Sequence, residues 1–128
     1  MAITHAVTFG LLEGSTGVST TTNVDVDASV KIDDTLATGT TNREYLVPVD
    51  MERMKTLLLH STKDVTVKTN NAGTPDDTFD LKANTPIVWR SGVGVTNPIT
   101  VDVTSWFVTN ASGDDARFRM IAGFEPTP

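Results

Sequence analysis

The chain has 128 residues, 38% of them hydrophobic, which is long and apolar enough for one globular domain with a real core. It has no cysteine, which excludes a disulfide framework, thiolate chemistry and any Cys-based zinc site. Its net charge of -6, without any Lys/Arg run, argues against nucleic acid as a partner.

In chain order, Ala2–Phe9 alternates Ile3, His5, Val7 and Phe9 against Thr4, Ala6 and Thr8, the period-2 pattern of an edge strand. Gly10 to Gly17 reads as a loop. Ser15–Asn23 is rich in Thr and Ser with only Val18 apolar, so it has β-propensity but little to bury. Residues 1–23 are therefore expected to be an edge strand or an arm that orders on assembly. Val24–Ile32 resumes a clean alternation and reads as one strand. Asp33–Asn42 is a polar connection pivoting on Gly39.

Arg43–Asp50 reads as a strand, with Pro48 placing its end at a sheet edge or bend because it lacks an amide donor. Asp50 is a candidate N-cap for one helical turn over Met51–Lys55. Met54–Ser61 and Asp64–Thr69 are two strands. Leu57-Leu58-Leu59 is apolar on both faces, which places the first of them inside a sheet. Asn70–Asp77, Gly92–Pro98 and Ala111–Asp115 are dense in turn formers and read as loops.

Asp77–Ala83, Thr85–Ser91 and Ile99–Asn110 read as strands, as does Ala116–Phe124. The tail from Glu125 is expected not to pair. In Ile99–Asn110, Ile99, Val101, Val103 and Phe107 share one face. The other face begins with Thr100, Asp102 and Thr104 and ends with Trp106 and Val108. Such a strand needs a second layer, another chain, or a bulge near Ser105. Trp106 and Val108, with Val18, Thr20 and Thr22 of the amino-terminal region, are the candidate protein-interface residues. About nine or ten short strands separated by turns predict an all-β single β-sandwich, jelly-roll or immunoglobulin-like, spanning residues 1–128.

Catalytic and cofactor signatures are not found. His5 and His60 read as surface or interface residues, and no serine stands in a nucleophile-elbow setting. The pairs Asp25/Asp27, Asp33/Asp34, Asp76/Asp77 and Asp114/Asp115 read as solvated turn and strand carboxylates. The last pair is the best placed of them for a metal ion, but no metal is expected. Gly92-Val93-Gly94 is a turn, with no helix after it to bind phosphate. Asn110-Ala111-Ser112 matches a glycosylation sequon, read as coincidence because the opening Met-Ala-Ile-Thr-His is unlike a secretory leader. No apolar run is long enough for a membrane span.

The succession Leu57-Leu-Leu-His-Ser61, Asp64-Val-Thr-Val-Lys-Thr-Asn70, Asp77-Thr-Phe-Asp-Leu-Lys-Ala83, Pro86-Ile-Val-Trp89 and Ser105-Trp-Phe-Val-Thr-Asn110 resembles small β-sandwich virion proteins of tailed bacteriophages. The resemblance covers Met54–Asn110. It implies a capsid decoration, or cement, protein that sits as a trimer or dimer on the outer face of the head. Its partners would be the major capsid protein and further copies of itself, and assembly would take place in the host cytoplasm. The Thr-rich amino-terminal region is similar to the arms such proteins lay across the lattice. The alternative expectation is a glycan-binding or tail/fibre module that stacks sugars on Tyr45, Trp89 or Trp106.

Overall fold

The computed structural model describes residues 3–125, apart from the side chain of Leu12. The expectations for Ala2 and for the tail at 126–128 lie outside the described residues. All ten elements are strands: β1 (Ile3–Glu13), β2 (Thr16–Val26), β3 (Ala28–Leu36), β4 (Arg43–Tyr45), β5 (Met54–Ser61), β6 (Val65–Thr69), β7 (Thr78–Leu81), β8 (Ile87–Arg90), β9 (Trp106–Thr109) and β10 (Ala116–Phe124). They form three antiparallel sheets: the hairpin β1-β2 and two four-stranded sheets of order β3-β10-β5-β8 and β4-β9-β6-β7.

The two larger sheets follow one rule. β3 pairs with β10, β4 with β9, β5 with β8 and β6 with β7. The eight strands thus form a double-stranded ribbon, folded back at β6-β7, whose rungs alternate between the sheets. Rolling the ribbon adds the pairs β5-β10 and β6-β9. One buried cluster takes Ile32, Leu57, Leu59, Phe118 and Met120 from one sheet and Val65, Val67, Leu81, Trp106 and Val108 from the other.

This arrangement answers the problem posed by the carboxy-terminal strand. Only Trp106–Thr109 of Ile99–Asn110 is a strand; Val103 makes a single bridge to Val49, and Val101 is exposed. The chain breaks at Ser105, which switches the inward face from Ile99 and Val103 to Trp106 and Val108. Those two side chains have no exposure at all, and Trp106 Nε1 donates to the Val47 carbonyl at 2.9 Å. Their assignment to an intermolecular interface is therefore corrected: the chain's own second sheet covers them.

Other boundaries also differ. Gly10–Gly17 is no loop, because β1 and β2 run 11 rungs to a two-residue Gly14-Ser15 turn. Gly14 has φ 60° at the first central position, as a type II′ turn requires. Val24–Ile32 is two strands parted at Asp27, whose amide donates to Phe124. Leu36, placed in a connection by its polar neighbours, is fully buried at the end of β3. Arg43–Asp50 keeps its strand only to Tyr45, and Asp50 caps a single turn through Glu52 N and Arg53 N without a helix following.

Asn110 shows why the sequon is not a surface site. Its side chain is fully buried, with Nδ2 donating to Leu36 and Asp114 carbonyls and Oδ1 accepting from Ser112. One amide thus ties the end of β3 to the loop after β9, a buried polar group fully occupied with partners.

Candidate interaction surface

The β1-β2 hairpin presents two unlike faces. In register, Ile3, His5, Val7, Phe9, Leu11 and Glu13 of β1 stand beside Val26, Val24, Thr22, Thr20, Val18 and Thr16 of β2. The opposite face is polar toward the root and middle, including a Thr8–Thr21 hydroxyl pair at 2.8 Å and Thr4 Oγ1 donating to Asp25 at 3.0 Å. Alternation at period 2 thus builds an amphipathic ribbon.

The body covers the apolar face only at its root. Val7 and Val26 are buried, although neither belongs to the core shared by the two sheets. His5 Nδ1 lies 2.7 Å from Thr56 Oγ1 of β5. Thr56 pairs with Arg90 and Gly123 on the face of β3-β10-β5-β8 turned away from the core, so the hairpin root sits on that outer face. Gly123 makes the approach possible. A Cβ there would stand 2.5 Å from Thr56 Oγ1 and 2.8 Å from the His5 ring. Gly123→Ala is expected to cost about 1–3 kcal/mol, the range for overpacking a tight contact, measured by urea unfolding. By NMR titration, His5 in this variant should move back toward the ordinary histidine range.

That titration matters because His5 is held below its ordinary value. Burial at the root disfavours the imidazolium, and the neighbouring Lys31 ammonium adds to the effect. The folded state binds this proton less readily than the unfolded chain. The contribution is therefore intact above the unfolded value near 6.5 and is lost as pH falls through the lowered folded value. Hydrogen-exchange protection of the hairpin root, corrected for intrinsic rates, is expected to drop as pH falls below the ordinary histidine value of about 6.5. A His5→Gln variant should lack the step.

Toward the turn the same face is open: Leu11 is 83% exposed and its cross-strand partner Val18 67%. Two exposed apolar residues opposite one another, on a two-stranded ribbon whose edges pair with no other strand among the described residues, form a surface suited to covering by another chain. Thr20, also an interface candidate, is exposed, and Thr22 is half-buried nearer the root. Val18, Thr20 and Thr22 thus lie together on one face of the hairpin. Trp106 and Val108 lie elsewhere, in the core. Leu11 is not among the residues the sequence points to, because Gly10–Gly17 reads as a loop there.

The outer face of β3-β10-β5-β8 is the second half of this surface. Across it run the half-buried Ile121, Leu58 and Val88, with Arg119 and His60 one same-face rung to one side and Arg90 to the other. An open groove runs between this apolar row and Thr4–Thr8 of β1. Arg117 is held by Asp33 in a two-pronged pair at 2.9 and 2.8 Å, and that pair holds the carboxyl below its usual range. Arg119 Nε, Arg90 Nε and His60 Nδ1 are shielded and have no hydrogen-bond partner among the described residues.

The remaining candidates are occupied by local structure. Asp77 accepts from Thr100, Asp76 from Asn70, and Asp115 from the Thr38 amide, while Asp114 pairs with Lys63. Among the described residues no group of three or more His, Asp or Glu side chains is placed to hold a metal ion. The Trp89 ring is buried, with Nε1 donating to Val95, and the half-buried Tyr45 hydroxyl donates to Asp34. No open ring platform is formed by Tyr45, Trp89 and Trp106. Comparison with protein-family models, curated proteins and solved structures finds no match to this chain.

Proposed function

We propose that this chain is a non-enzymatic virion structural protein, a capsid decoration or cement protein that binds the outer surface of a phage head and stabilises the shell. The observation that carries the proposal is the hairpin, whose apolar face is covered by its own body at the root and open at Leu11 and Val18. A ribbon of this kind stabilises little by itself in water and has its apolar surface to gain by docking. The strand order supports a β-sandwich of jelly-roll type: eight strands paired outermost to innermost and rolled into two four-stranded sheets. The resemblance of Met54–Asn110 to phage virion proteins agrees with that assignment. The burial of both tryptophans favours this reading over a sugar-binding module, which needs a ring on an open groove.

The partners are the major capsid protein and further copies of this chain, and the location is the virion. Particles carrying the protein are expected to withstand a higher disruption temperature than particles without it. Equal disruption temperatures would remove the stabilising role.

A further inference from the structure

We infer that the hairpin tip of one copy docks in the groove on the outer β3-β10-β5-β8 face of a second copy, a head-to-tail contact. The inference rests on reading the chain as an assembling structural protein, and it names the partner for the open apolar face.

Two surfaces of the one chain are complementary in charge and spacing. The tip offers the apolar pair Leu11–Val18 and, two residues further along the same strand face, the carboxylate of Glu13. The hairpin strands contain no lysine or arginine. The receiving face offers the row Ile121–Leu58–Val88 and, two residues along β10, Arg119. Two strand residues span about 7 Å on either surface, so apolar pair and row can meet while Glu13 reaches Arg119. In an acidic chain this face is locally basic: Lys31, Arg90, Arg117 and Arg119 point outward from it beside the single carboxylate Asp33. Arg119 Nε lies 4.0 Å from Asp33 Oδ1, beyond hydrogen-bond reach, and that carboxylate is already held by Arg117, so Arg119 is the less committed of the two arginines. The Arg119 side chain as a whole keeps 42% exposure and is open to an incoming carboxylate.

Because tip and groove are different surfaces, the contact is heterologous. Repeated, it closes into a ring if the rotation allows, and otherwise propagates.

Sedimentation velocity of the full chain tests this with two variants, each first checked for native circular dichroism and unfolding midpoint. Leu11→Asp/Val18→Asp spoils the tip but keeps the groove; Arg119→Glu spoils the groove but keeps the tip. The wild type is expected to sediment as an oligomer, and each variant alone as a monomer. An equimolar mixture should stop at a 1:1 dimer, one good tip in one good groove. If Arg119→Glu fails to fold, Arg90→Glu takes its place. An Arg119→Glu variant that self-associates alone would mean that tip meets tip and overturns the inference, as does a mixture that stays monomeric or a wild type that is monomeric at every concentration. A monomeric wild type that still stabilises capsids would overturn the head-to-tail contact alone and leave the proposed function standing.

Discussion

Trp106→Ala is expected to lower the free energy of unfolding by about 3–5 kcal/mol, the largest loss from a single side chain in this molecule. The indole has no exposure and lies in the cluster formed by both larger sheets. Truncation removes the contacts of a large ring from each sheet and leaves a cavity that two opposed, hydrogen-bonded layers cannot easily close. It also leaves the Val47 carbonyl without the indole N–H that it accepts at 2.9 Å. Urea denaturation followed by circular dichroism measures the loss. Trp106→Phe should recover most of the packing but not the hydrogen bond, and so fall between the two. A loss below 1 kcal/mol for the alanine variant would show that the ring is not the joint between the sheets.

The opposite pattern is expected at the hairpin tip. Leu11→Asp/Val18→Asp should change the unfolding free energy by no more than about 0.5 kcal/mol, because both side chains already face water. Binding to capsids should nevertheless fall by about tenfold or more. Two apolar side chains buried in the contact between copies stabilise by about 1.5–3 kcal/mol each, and a variant that no longer assembles loses the multivalent hold of joined copies on the lattice. A pull-down with capsids lacking the protein measures this against the wild type. Trp106 and Leu11 thus separate the two roles: one side chain holds the fold, and the other is held ready for a partner.

Five strands are legible in the sequence because each stays within one sheet with one face in the core. Met54–Ser61 and Ala116–Phe124 appear with the predicted boundaries, and β6, β7 and β8 lie within the predicted segments. Two of the misread segments, Val24–Ile32 and Ile99–Asn110, are those where the chain bends between stretches that face different layers. Alternation across Val24–Ile32 is unbroken because the bend at Asp27 preserves parity: Val26 faces the hairpin root, Ile32 the core, and Ala28 between them is exposed. Periodicity is local and does not register a change of layer. At Ser105 parity does flip, and the sequence pattern signalled it as a strand apolar on both faces.

The candidate surface was half legible for a related reason. The Thr-rich β2 reads as a strand with little to bury, and it is one. Its partner was cut short at Gly10, although Leu11 and Glu13 continue the alternation and Gly14-Ser15 is a two-residue hairpin signal. The outer basic face was not legible at all. Lys31, Arg90, Arg117 and Arg119 come from three separate strands, and only the register of β3, β10, β5 and β8 gathers them.

The central claim is that the protein decorates a capsid as copies joined through the hairpin. Mixing it with capsids that lack it and imaging the particles by cryo-electron microscopy tests that claim most directly. The expected result is regular density at lattice symmetry axes, with the β1-β2 ribbon in the contact. Bare capsids, with the protein left free in solution, would contradict it.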